Sequence, residues 1–439
     1  MNQEKISERL TPGHYFTLAL FVSLYMLNAG DRMILSVLLQ PVKMEFALSD
    51  TQLGLLTGLA FAICNCIAAV PLGVAADRVN RSILIAVCLG FWSAMTLVQS
   101  YATSFVQLVI ARMGVGIGEA GAPPAAMSLI SDRFPASRRA TALSIAFLGA
   151  PLGSMCALAA GGWIAQHYGW RVALQACAVP GFFVSLLLLL FLKDPARRKS
   201  PSAAAPGENS SLSETVRLLW SQPALRHILF GLILAGFALS GEATWSASFF
   251  IRTHHLTLAQ VGSSLALIGV VAGVGGTMVG GALTDRLSRR DPRWATGTIA
   301  LASFCAAPLI VCYLLATDLV TAFCFFALYN FCANMWLGPS YSAAHSLVPA
   351  HMRGKMTAIL YAVAGLFGYG LGSQGIGLLS DLLAPHMANP LRYSLLMLGL
   401  VWLGSAINFA LAARTLVRER EQLHQRFGSI GPAPIASVH

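Results

Sequence analysis

Apolar runs of roughly twenty residues or more, separated by short polar connections, make up most of the chain. They fall near 14–40, 50–76, 82–101, 103–130, 140–166 and 170–192, then near 224–251, 257–284, 294–316, 318–348, 355–380 and 393–413. A run of that length, at about 1.5 Å per helical residue, matches the ~30 Å hydrocarbon core of a bilayer. Twelve such runs predict an all-α integral membrane protein, because only helices and closed barrels satisfy their own backbone in lipid. Connections are mostly short, so consecutive helices are antiparallel neighbours. The centre breaks the pattern. Residues 193–222 are charged and rich in Pro, Ser and Ala, with the basic run Arg197, Arg198, Lys199, and read as a flexible linker. The expected organisation is a six-helix bundle over 1–192, the linker over 193–222, a second bundle over 223–416 and a tail over 417–439. Within the linker, Ser211 and Glu214 have capping-box spacing ahead of Leu212, Val216, Leu219 and Trp220, which predicts a short amphipathic helix on the membrane surface.

Composition sharpens this. Hydrophobic residues make up 56% of the chain and charged ones 11%, against about 25% charged in a soluble domain. The first apolar run follows a polar start and is long enough to span, so it is expected to be retained rather than cleaved. A net charge of +11 would suit nucleic acid if it formed a patch, but it does not. With both termini in the cytoplasm, Lys and Arg concentrate on the cytoplasmic side and leave Lys43, Arg171, Arg252 and Arg392 in opposite loops, as the positive-inside rule requires. The cysteines are scattered without a CxxC pair, which argues against a metal or disulfide framework. Gly116, Gly118 and Gly121 match a dinucleotide fingerprint but lie inside an apolar helix with no preceding strand, so the match is rejected. Small residues there, and the pairs Gly269 with Gly273 and Gly276 with Gly280, are expected to let helices approach closely. No P-loop, nucleophile triad or cofactor loop points to an enzyme, and no cofactor is expected beyond a proton as coupling ion.

An internal repeat relates the halves. Gly73, Asp77, Arg78 and Arg81 recur as Gly281, Asp285, Arg286 and Arg289, an offset of 208 (285 − 77). The same offset relates Gln52-Leu53-Gly54 to Gln260-Val261-Gly262. The duplicated G-x-x-x-D-R-x-x-R resembles the signature loop of the major facilitator superfamily, and the resemblance covers essentially the whole chain. It implies two pseudo-symmetric six-helix bundles, with the duplicated loops forming a cytoplasmic gate. The first loop departs from the pattern at Asn80 and Ser82, which implies a weaker gate there.

Ionisable groups in mid-span are expensive, about 2.5–3.5 kcal/mol each on insertion scales, and are functional candidates by default. They are Asp31, Arg32, Arg112, Glu119 and Glu242. Arg112 and Glu119 stand seven residues apart, two turns on one helix face and about 10 Å along the axis. Burial disfavours a charged carboxylate and a nearby guanidinium favours it, so Asp31 and Glu119 are candidate proton sites with Arg112 as the switch between them. A fixed ion network locking two helices together is the competing reading. The superfamily resemblance implies a cavity lined by helices one, four, seven and ten. The second half then contributes Trp245, Phe249, Tyr329, Asn330, Asn334, Trp336 and Tyr341, alongside Glu242; aromatics interleaved with amides suit an amphiphile, although each is also an ordinary packing residue. Arg32 and Arg112 could hold a phosphate or carboxylate directly.

A narrower resemblance follows from Asn28-x-x-Asp31-Arg32, then Arg112-x-x-x-Gly116-Ile117-Gly118-Glu119-Ala120, Asp132-x-Phe134 and Pro151-Leu152-Gly153-Ser154, in that order. Together these resemble the Spinster family. The resemblance implies a carrier of lysolipids or sphingoid lipids, expected here to be proton-linked and to work as a monomer; short loops and a lone glycosylation sequon, Asn209-Ser210-Ser211, stranded in the linker suggest a bacterial version in an inner membrane. Two alternatives stay open: a proton antiporter for drug-like amphiphiles, since Gly149-Ala150-Pro151-x-Gly153 partly resembles an antiporter motif, and a transporter of small organic anions.

Overall fold

The computed structural model describes residues 12–192, 194 and 212–427. Among them are twelve helices long and apolar enough to cross a membrane, and no strand. In chain order the spans are Pro12–Phe46, Asp50–Ala76, Arg81–Ser100, Phe105–Arg133, Thr141–Tyr168, Trp170–Phe191, Pro223–His254, Leu258–Ser288, Trp294–Leu315, Leu319–Ser346, Arg353–Leu383 and Pro390–Leu423, numbered 1 to 12 below. The surface helix expected in the linker runs Leu212–Ser221; Ser211 lies outside the described residues. The last helix continues to Phe427, past the boundary expected at 416. Residues 417–427 contain Glu, Gln, Arg and Leu without Gly or Pro, so nothing in them stops a helix. Span 10 is broken, its first helix ending at Ala333 and its second starting at Leu337.

The helices pack into two compact units: Met1–Arg198, Gly241–Val270 and Ser373–Ser394 form one, and Lys199–Ser240, Val271–Gly372 and Leu395–His439 the other. The first unit thus holds spans 1 to 6 together with the ends of spans 7, 8, 11 and 12 that lie farthest from the linker. Its core gathers Phe21, Leu24, Leu89, Trp92, Val115 and Leu129. Glycines set the closest approaches. A Cβ on Gly149 or Gly153 of span 5 would strike the carbonyl oxygens of Val22 and Met26 in span 1. On span 4, a Cβ on Gly116 would come to 2.7 Å from the Phe61 carbonyl and one on Gly118 to 2.8 Å from Trp92 Cβ. The rejected dinucleotide match is therefore a helix-packing face.

At the far side, away from the linker, the sequence repeat becomes a pair of equivalent contacts. Ser49 and Thr257, 208 positions apart (257 − 49), each open a helix through a capping box with Gln52 and Gln260. Asp381 accepts the next two backbone N–H groups of span 2, from Asp50 at 3.0 Å and Thr51 at 2.7 Å. Gln166 does the same for span 8 through Ala259 at 2.9 Å. Gly377 packs on the Asp50 carbonyl and Gly162 on that of Leu258. One contact is charged: Asp50 accepts both Nη atoms of Arg252 at 2.8 Å, Ser380 Oγ at 2.7 Å and Lys43 Nζ, while Arg252 Nε donates to Gln40. The other, built on Leu258 and Gln166, is neutral. Asp381→Ala should therefore lower stability by about 1–2 kcal/mol, a charged cap at a helix N-terminus. Gln166→Ala should cost less than half of that, and equal drops in apparent melting temperature would contradict the asymmetry.

In the second unit, Gly276 and Gly280 of span 8 pack on Phe331 and Met335 of span 10, as expected. Gly269, in the first unit, has nothing among the described residues within 4 Å of an added Cβ. It opens a π-helical turn, Gly269–Val274, whose Gly273 would bring an added Cβ to 3.6 Å from Asn334 Nδ2.

A buried double ion pair in the first bundle

Close packing of spans 1 and 5 fixes the rotation of span 1, and with it Asp31 and Arg32. Asp31 is 3% exposed and accepts Arg112 Nη1 at 2.9 Å and Thr96 Oγ1 at 2.5 Å. Glu119, 1% exposed, accepts Arg32 Nε at 2.6 Å. Each carboxylate therefore has its own arginine in this structure, Arg112 on Asp31 and Arg32 on Glu119. Neighbouring positions on span 1 point to different sides, so Asp31 and Arg32 reach opposite members of the Arg112 and Glu119 pair. The two guanidinium carbons lie 4.9 Å (Arg32) and 4.8 Å (Arg112) from the centroid of the Phe61 ring. That ring attracts both cations.

The two pairs differ in access. The Arg112 side chain is 2% exposed and that of Arg32 is 34% exposed, so the inner pair is sealed and the outer one meets open space through its arginine. Glu119 Oε1 and Arg112 Nε have no hydrogen-bond partner among the described residues. Each pair thus keeps unused bonding capacity: Glu119 Oε1 can accept one more hydrogen bond and Arg112 Nε can donate one. Phe61 and Thr96 escape sequence reasoning, Thr96 because nothing local marks it. Phe61 follows a π-helical turn, Leu55–Leu59, a device common at functional sites.

Other candidates separate. Glu242 is 2% exposed, hydrogen-bonded to Ser246, with Oε1 unpartnered among the described residues. Trp245 and Phe249 are fully buried and serve the far-side contact: Trp245 Nε1 donates to the Ser373 carbonyl at 2.9 Å and its ring lies 5.9 Å from Arg252, as Phe249 lies from Arg392. In the second unit Tyr329 is also fully buried and accepts Trp402 Nε1 at 3.2 Å, and Trp336 is 2% exposed. These four aromatics are buried in this structure; helical spacing does not separate a cavity wall from a core. Asn330 and Asn334 donate one turn back along their own helix, at 3.1 and 2.8 Å, at the break in span 10. Tyr341 is half-buried.

The signature loops also divide. Arg81 is 3% exposed and binds Ser128, Asp132 and Asp194 at 2.8, 2.5 and 2.7 Å. It ties span 3 to the end of span 4 and the start of the linker, instead of standing free at a gate, because two carboxylates compensate its burial. Asn80 is the N-cap of span 3, which accounts for its departure from the pattern. Arg78, Asp285, Arg286 and Arg289 are exposed, Gly73 and Gly281 are unobstructed by described atoms within 4 Å, and the Asp77 side chain lies outside the described residues.

Residues 21–373 match the Major Facilitator Superfamily. An MFS-type efflux pump of Mycolicibacterium smegmatis is 32% identical over 378 residues, covering 85% of this chain and 86% of the pump. The sphingosine-1-phosphate transporter of Danio rerio is 27% identical over 403 residues, covering 85% and 77%. Among solved structures, a bacterial homolog to the human lysosomal transporter Spinster, inward-facing and unoccupied, superposes with a TM-score of 0.84 at 27% identity, covering 94% of this chain and 99% of that one. A D-xylose–proton symporter, at 19% identity and a TM-score of 0.69 over 92% of this chain and 97% of that one, shares the fold. The chain therefore belongs to the major facilitator superfamily, in its Spinster branch, and is a membrane transporter.

Proposed function

We propose that the protein is a proton-linked carrier of single-tailed amphiphiles, lysolipids or sphingoid lipids, working as a monomer by alternating access. The observation that carries this reading is the double ion pair, in which a sealed Asp31–Arg112 pair and an accessible Arg32–Glu119 pair share one aromatic ring. An anionic head group arriving at Arg32 competes with Glu119 for the same guanidinium, a bidentate partner for phosphate. Glu119 released from Arg32 in a buried site takes a proton, and on return of Arg32 gives it up. Asp31 and Arg112, whose guanidinium carbon meets the same Phe61 ring, provide the second stage. The amides Asn330 and Asn334 at the broken turn of span 10, with Tyr341 and Glu242, are the polar contribution of the second half. Gly73, Asp77, Arg78, Gly281, Asp285, Arg286 and Arg289 form the linker-side gate, and the positive-inside rule makes that side cytoplasmic in a bacterial inner membrane.

A second reading, export of drug-like amphiphiles in exchange for protons, is favoured by the relative described as an efflux pump. The test is uptake of a labelled lysosphingolipid into proteoliposomes with and without a pH gradient, beside Asp31→Asn and Glu119→Gln. Flux that requires the gradient and falls at least tenfold in both variants is expected. Absence of lysolipid flux, with gradient-driven movement of a cationic drug-like amphiphile, would overturn the lipid reading in favour of the second.

A further inference from the structure

On the linker side of the second unit, helix Leu212–Ser221, the start of span 7 and the end of span 12 enclose a cavity of about 380 Å³. Gln222, the single residue between the two helices, closes one and opens the other: its N–H donates to the Leu218 carbonyl at 3.2 Å and its carbonyl accepts Arg226 N–H at 3.2 Å. Its side chain turns into the cavity, is 8% exposed, and leaves Oε1 with no partner among the described residues. A buried amide oxygen without a donor is costly, so the site calls for an N–H or O–H from a ligand. Across the cavity Arg418 is exposed, and Glu419 is 7% exposed with both oxygens on Ala224 N–H at 3.1 Å, capping span 7. That carboxylate is already offset by the helix N-terminus. Arg418 and Arg226, both near enough to act on Glu419 electrostatically, together with that N-terminus outweigh its one negative charge, so the cavity keeps cationic character, and Leu218 and Leu423 supply its apolar part.

Depth identifies the surroundings. The apolar run of span 7 starts near 224 and that of span 12 ends near 413, so Gln222 and Arg418 lie about 3–8 Å outside the apolar stretch, in the head-group layer. Trp220, half-exposed and packed edge-on against Phe230 at 6.4 Å, sits where interfacial aromatics belong. Leu212, Val216 and Trp220 form an exposed stripe at four-residue spacing, the membrane-facing side of a surface helix. We propose that this cavity binds the head group of a phospholipid carrying a primary ammonium, the phosphate on Arg418 and the ammonium donating to Gln222 Oε1.

The test is native mass spectrometry of the purified full chain in detergent, titrated with dioleoyl phosphatidylethanolamine or phosphatidylcholine. A quaternary ammonium has no N–H, so ethanolamine lipid should bind about tenfold tighter, the value of one charge-assisted hydrogen bond. Gln222→Leu should remove that preference and leave choline-lipid binding unchanged, and Arg418→Gln should weaken both lipids. Gln222→Glu, which keeps size and acceptor, should widen the preference and serves where the leucine variant melts early. Equal binding of the two lipids in the parent chain, or an unchanged preference in both Gln222 variants, would overturn the proposal. Soluble glycerophosphoethanolamine should compete only at far higher concentration; competition at the lipid's own concentration would overturn a membrane source for the head group.

Discussion

Arg112→Met should destabilise the protein by about 3–5 kcal/mol, because it strips a buried carboxylate of its only guanidinium. Asp31 would keep Thr96 as partner, and one hydroxyl does not compensate a charge in a site 3% exposed. The double variant Asp31→Asn with Arg112→Met should recover most of that loss, since it removes both charges and keeps the shape of Asp31. The coupling energy from such a cycle should exceed about 2 kcal/mol, against a few tenths for residues that do not interact. Gradient-driven flux should stay absent in the double variant. Recovery of both stability and flux would make the pair a structural lock and leave Glu119 alone to carry protons. Apparent melting temperature and proteoliposome flux, measured on the same preparations, separate these outcomes.

Gly153→Val should be as damaging by another route. An added side chain there meets a backbone carbonyl, that of Met26, and a carbonyl in a helix cannot turn aside as a side chain can. Overpacking ordinarily costs about 1–3 kcal/mol, and this position belongs at or above the upper end. The damage extends to activity, because span 1 carries Asp31 and Arg32 only five and six residues beyond Met26. A shift of about 1 Å in positioned groups can cost a factor of about 10². Gly281→Ala provides the contrast. With no described atom within 4 Å of the new methyl, it should be neutral or stabilise by up to about 1 kcal/mol, the helix propensity gained. Equal effects at the two positions would show that the closeness of spans 1 and 5 does not govern the protein.

The spacing of Arg112 and Glu119, and the presence of Asp31 beside Arg32, were legible because each is a statement about one helix. Which arginine meets which acid was not. Four charges within two turns admit several pairings, and the choice depends on the rotation of span 1, set by two glycines on span 5. The repeated Gln52 and Gln260 marked equivalent positions, yet their chemistry as capping boxes depended on Ser49 and Thr257 just outside the matched triplets. Arg81 looked like its neighbours Arg78 and Asp77 because the motif ran through all three. Its burial depends on Asp132 and Asp194, 51 and 113 positions away. Trp245 and Tyr329 sat on the expected helices, but an apolar helix shows the same sequence to a cavity and to a core, so burial came only with the fold.

The π turn of span 2 gives this site a property that no side chain supplies. A π turn holds one residue more than an α turn, and one residue is worth about 100° of rotation. If Leu55–Leu59 relaxed to ordinary helix, everything after it would swing by that angle, and Phe61 would leave both guanidinium groups at once. The two ion pairs share a common wedge whose seat is a winding defect five residues long. The winding of Leu55–Leu59 therefore sets where the Phe61 ring meets the two guanidinium groups.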